Sequence, residues 1–174
     1  GLTLKFSGKG YSILPLPGKA VAILGLNCAE KSTVRSNYLD VKEIFGRSGC
    51  YIFLSEPTER NPGRVYVGQT RYFDTRFNSY NRLNKFEVVY LISRTPDNKG
   101  NSRNFSEAEI QHLEFVLIDH FKELCFHRNY IFENKQSGTG TVGQPSVAAD
   151  ISADAAAILS SLDSSFGFPL NAKT

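Results

Sequence analysis

Apolar and polar residues follow strand-like spacing in the first third of the chain and helical spacing later. Leu2–Phe6, Tyr11–Leu14 and Ala20–Gly25 read as short strands, the last behind a Pro15–Gly18 turn. Cys50–Leu54 and Arg64–Val67 are dense in β-branched and aromatic residues. The loop between them carries Pro57, Asn61, Pro62 and Gly63, so the two segments are expected to pair as an antiparallel hairpin. Phe73, Phe77 and Tyr80 recur at i, i+4 and i+7 and predict a helix over Tyr72–Leu83. Phe86–Ser93 turns strongly apolar, as a third strand would, and Asp97–Arg103 is a polar loop. Ser106 with Glu109 three residues on forms a capping box, and the helix it opens should reach Phe126. Ser137–Gly143 then reads as a flexible linker and Ser152–Leu162 as a short Ala-rich helix. The expectation is a single α/β domain with a mainly antiparallel sheet: a β-rich N-terminal arm over 1–45, a core over 46–136, and a linker with a C-terminal helix over 137–174.

Two polar residues sit where this pattern wants apolar ones. At 100° per residue, Ile110, Leu113, Leu117, Ile118, Phe121 and Leu124 fill one arc of the long helix, and Glu114 falls near its centre. A carboxylate there pairs with a cation, takes a metal, or titrates upward, unless the helix edge lies close to solvent. Arg76 lies on the Phe73 and Phe77 side of the earlier helix, next to Tyr80 at i+4. It either clamps a phosphate or snorkels past the aromatics to water. If the two helices face one sheet, a carboxylate, a guanidinium and strand tyrosines converge. Those are the parts for metal-assisted phosphodiester hydrolysis.

Composition narrows the class without naming it. With 41% hydrophobic and 21% charged residues the chain is not disordered, and no apolar run reaches a membrane span. The opening Gly1-Leu2-Thr3-Leu4-Lys5 lacks a signal-peptide core. Three cysteines, Cys28, Cys50 and Cys125, show no CxxC spacing, so neither a disulfide framework nor a zinc site is indicated and a reducing cytoplasm is expected. A net charge of +3 permits nucleic-acid binding. Arg71, Arg76, Arg82 and Lys85, interleaved with Tyr72, Tyr80 and Tyr90, suit contact with a DNA backbone; ordinary surface charge explains them almost as well, Arg76 excepted. His112, His120 and His127 lack i, i+4 pairing and read as solvated.

Gly49-Cys50-Tyr51 followed by Val65-Tyr66-Val67-Gly68-Gln69-Thr70 resembles the paired signature of the GIY-YIG nucleases. Arg76 lies ten residues after Tyr66, and Tyr80 four after Arg76, as in that family's first helix. Glu114, in His112-Leu113-Glu114-Phe115-Val116-Leu117-Ile118, resembles the family's metal-binding glutamate. Asn134, in Phe132-Glu133-Asn134, resembles its later asparagine. The resemblance covers 46–136 and implies a small three-stranded antiparallel sheet flanked by helices. It also implies DNA cleavage dependent on Mg²⁺, or Mn²⁺, leaving a 5′-phosphate and a 3′-hydroxyl. The residues it implies are Tyr51, Tyr66, Arg76, Tyr80, Glu114 and Asn134, with Glu114 holding the metal and either Tyr51 or Tyr66 as base. Cys50 and Val67 stand where the family places isoleucine, and Gln69 where some members place lysine.

Two rival readings remain at this point. One is a non-catalytic nucleic-acid-binding module that keeps the fold. The other rests on Gly25-Leu26-Asn27-Cys28-Ala29-Glu30-Lys31-Ser32, which nearly spells a phosphate-binding loop but puts Glu30 where the second glycine belongs. A strand followed by a polar loop is the simpler expectation there. No separate DNA-reading motif accompanies the core, so specificity is left to loops, the terminal segments or a homodimer partner.

Overall fold

The computed structural model describes residues 11–16, 18–28, 31–43, 45–79, 85–134 and 154–163. The expected strand Leu2–Phe6, the Ser137–Gly143 linker and Tyr80 lie outside them.

The chain forms a mixed α/β fold around one open six-stranded sheet. Its strands are β1 (Tyr11–Pro15), β2 (Val21–Asn27), β3 (Gly49–Ser55), β4 (Gly63–Thr70), β5 (Val88–Arg94) and β6 (Tyr130–Phe132). The spatial order is β1-β2-β5-β3-β4-β6. Every pair is antiparallel except β4 with β6, which is parallel. Among the described residues four helices flank the sheet: α1 (Lys31–Val41), α2 (Phe73–Ser79), α3 (Glu107–His127) and α4 (154–163).

The sheet is wider than the three strands expected. β3, β4 and β5 are present, and the first strands extend the same sheet. β2 pairs with β5 along its whole length, from Val21 opposite Arg94 to Asn27 opposite Val88. The reason is in its composition. Val21 to Leu26 are all buried, so both faces of β2 need cover and only an interior place in a sheet supplies it. Half-exposed β1 closes that edge, with Pro15 at its end.

The two sheet faces carry separate cores. On one face, Ile52, Leu54, Val65, Val67 and Ile92 pack with Ile110, Leu113, Leu117 and Phe121 of α3 and with Ile158 and Leu162 of α4. On the other, Leu24, Tyr51, Phe53, Val89 and Leu91 pack with Val34, Tyr38 and Val41 of α1 and Phe73 and Phe77 of α2. Each large side chain so covered contributes about 1.5–3 kcal/mol relative to exposure.

Helix α1 replaces the polar loop expected after β2. Its buried apolar residues are Val34, Tyr38 and Val41, at i, i+4 and i+7, with Leu39 half-buried beside them. That stripe becomes stable because the rings of Phe73 and Phe77 meet Tyr38 edge-on at 5.7 and 6.1 Å. Gly25 lies inside β2, paired with Tyr90. The capping box forms as expected: Ser106 accepts from the Glu109 amide at 3.1 Å, and Glu109 accepts from the Ser106 amide at 2.9 Å. No described helix is long and apolar enough to cross a membrane.

Candidate active site

The strand register brings the two signature tyrosines together. Tyr51 lies opposite Gly68, and Phe53 opposite Tyr66, so both tyrosines share the α2 side of the sheet, diagonal to each other. Their rings stack with centroids 6.5 Å apart. Gly68 is what admits Tyr51, because a Cβ there would run into the Cζ, Cε2 and hydroxyl of the Tyr51 ring. Tyr51 is 1% exposed, whereas Tyr66 is half-buried.

Arg76 comes from α2. Its Nε donates to the Tyr51 hydroxyl at 3.0 Å, and its guanidinium carbon stands 5.9 Å from the centre of that ring. The helix hands Arg76 to the tyrosine because Phe73 and Phe77 anchor the adjacent stripe in the core. Burial pushes the Tyr51 hydroxyl up to about 12. Arg76 opposes that shift, while Tyr66 and Glu114 add to it. The guanidinium is therefore turned to the phenol rather than snorkelling away from it.

Glu114 reaches the same stretch of β4 from the opposite side. Val65, Val67 and Gln69 point toward α3, and the Gln69 amide donates to Glu114 Oε1 at 3.2 Å. Among the described residues this is the carboxylate's only hydrogen bond, and it makes no salt bridge. Burial holds its pKa above the ordinary carboxylate value, with Gln69 pulling the other way. Among the described residues no paired cation accounts for Glu114, which is half-buried.

The two groups lie on opposite faces of the same stretch of β4. β6 pairs with Gly63 to Val65, and among the described residues no further strand lies beside β4 from Tyr66 onward. Tyr51, Tyr66 and Arg76 approach this edge from one face, Gln69 and Glu114 from the other. The Glu114 charge is felt by both Tyr51 and the buried Cys50 thiol, pushing each up.

Asn134 has a different part. Its Oδ1 accepts from the Val67 amide at 2.9 Å, and its Nδ2 donates to the Val67 carbonyl at 2.7 Å. The side chain continues the β4–β6 ladder past the end of β6 and fixes the backbone beside Tyr66. Its place is structural support, without contact to Arg76 or Glu114 through these bonds.

Several residues differ from the sequence expectation. His112 is buried rather than solvated, and His120 is largely covered, with Nε2 3.5 Å from Asp163 of α4; only His127 is exposed. Gln69 was seen only as a missing lysine, and its role as partner to Glu114 requires the β4–α3 packing. β6 was missed because three residues are too short for a pattern, although Tyr130-Ile131-Phe132 has strand composition.

A divalent ion fits this site in one manner. Among the described residues no three His, Cys, Asp or Glu side chains gather to cage a metal. A lone half-buried carboxylate with one oxygen uncommitted suits Mg²⁺, which keeps water and takes further ligands from a substrate phosphate. Comparison with protein-family models, curated proteins and solved structures returns no match.

Proposed function

We propose that this chain is a divalent-metal-dependent DNA endonuclease whose β3, β4, β5, α2 and α3 form a GIY-YIG-like core. The observation that carries the reading is the pairing of Arg76 with Tyr51 beside the same stretch of β4 that Glu114 reaches from the other face. A phosphodiester laid along this edge meets a cationic guanidinium and phenols on one side and a metal-ready carboxylate on the other.

In this reading Glu114 holds Mg²⁺ or Mn²⁺, with Gln69 fixing its orientation. The ion, when bound, supplies positive charge to the phosphate and the leaving oxygen. Arg76 steadies charge on the non-bridging oxygens. Tyr51, buried and bound to Arg76, aims the guanidinium and keeps its proton. Tyr66, the more accessible of the two, gives its own proton to solvent and as the phenolate takes a proton from the attacking water. The water oxygen bonds to phosphorus as the P–O3′ bond breaks. The 3′-oxygen takes a proton from solvent, leaving a 3′-hydroxyl and a 5′-phosphate. Tyr80 is proposed beside Arg76 from the sequence alone.

The test is incubation of supercoiled plasmid and a branched DNA with Mg²⁺, with Mn²⁺ and with EDTA, followed by analysis of the product ends. Metal-dependent cleavage with 5′-phosphate ends supports the reading. DNA binding with no cleavage at any metal concentration favours the non-catalytic module instead.

A further inference from the structure

One exposed aromatic lies within a helical turn of Arg76 and has no part in the scheme above. Tyr72 is 51% exposed, and Arg47 stands over its ring with the guanidinium carbon 5.1 Å from the centroid. The pair is held by backbone from three segments. The Phe73 amide donates to the Arg47 carbonyl, the Arg47 amide donates to Asn104 Oδ1, and the Tyr72 amide donates to Thr70 Oγ1. The Arg76 amide in turn donates to the Tyr72 carbonyl at 3.1 Å, which fixes Tyr72 one turn from the active guanidinium.

Charge at this place is not spent internally. Arg71 next to Tyr72 pairs with Glu107, but Arg47 makes no salt bridge among the described residues. An accessible ring backed by an uncompensated guanidinium combines a stacking surface with an anion contact. That combination suits a nucleotide whose base is free to leave its neighbours. We propose that Tyr72 and Arg47 form a subsite for an unpaired nucleotide flanking the cleaved phosphate, with the base stacked on Tyr72 and its phosphate on Arg47. The preferred substrate is then a DNA with a single-stranded or frayed segment beside the cut. This rests on the nuclease reading.

The experiment measures binding in EDTA, where no cleavage intervenes, of a fluorescein-labelled single strand and of the same sequence as a duplex. The parent, Tyr72→Ala, Tyr72→Phe and Arg47→Ala are compared across a salt series. Tyr72→Ala is expected to weaken single-strand binding about tenfold, the weight of one base stack, with Tyr72→Phe near the parent and the duplex less affected. Arg47→Ala is expected to flatten the dependence of log K on log salt by roughly 0.7 for the single strand. Single-strand binding unchanged in Tyr72→Ala, or equal losses on single strand and duplex, overturns the subsite and leaves the nuclease reading standing. Failure of the parent to bind either DNA overturns both.

Discussion

Adding one methyl group at Gly68 tests the site's construction without touching any reacting group. A Cβ at this position meets three atoms of the Tyr51 ring well inside van der Waals range. The ring has little room to retreat. It is 1% exposed, edge-on to Phe53 at 5.4 Å, stacked on Tyr66 at 6.5 Å, and bonded to Arg76 at 3.0 Å. Overpacking a close-fitted core costs about 1–3 kcal/mol. At about 2–4 °C per kcal/mol for a chain of this size, Gly68→Ala should lower Tm by several degrees. The ring must move by about 1 Å or more, which breaks the Arg76 hydrogen bond, and displacement on that scale costs about 100-fold in turnover. Urea denaturation and cleavage rate are measured for Gly68→Ala alone and in a Tyr51→Leu background. With the ring gone the added methyl has space, so its stability cost should fall sharply there. Equal costs in both backgrounds would refute the argument that Gly68 exists to admit Tyr51.

Three further expectations follow from separate parts of the structure. Asn134→Ala removes both bonds to Val67 and should destabilise the fold by about 1–3 kcal/mol in urea denaturation, with cleavage falling through loss of Tyr66 positioning. Asp163 of α4 is buried beside His120, and burial raises its pKa, so its protonated form favours the fold. That contribution is full below the ordinary carboxylate value and is lost as pH rises through the raised folded value; Asp163→Asn should therefore gain stability relative to the parent as pH rises from about 4 to 7, measured as urea midpoints. Cleavage should increase across roughly pH 7–9 if a phenolate removes the proton, and a flat profile would count against that step.

Much of the core was legible because its signals are local. The β3–β4 hairpin and α3 follow from dense strand composition and a capping box, both complete within a few residues. Glu114 and Arg76 were visible as polar residues on apolar arcs, which sequence spacing alone exposes. What the chain concealed depends on distant partners. α1 buries a stripe of only three apolar residues and gains its stability from α2, while β6 has only three residues and relies on the β4 edge. The true width of the sheet rests on β2 pairing with β5, more than sixty residues later in the chain. Gln69 illustrates the same limit within the site. Its neighbours in sequence suggest only an absent lysine, and its partner Glu114 is 45 residues away.

The central claim is that metal-assisted cleavage of DNA occurs at the β4 edge between Arg76 and Glu114. Its most direct test is nicking of supercoiled plasmid by the parent and by Glu114→Gln, purified in parallel, with Mg²⁺ and with EDTA. The account predicts Mg²⁺-dependent nicking by the parent, abolished by EDTA and lost in the variant while its fold, followed by circular dichroism, is retained. Nicking by Glu114→Gln at the parent's rate would contradict it.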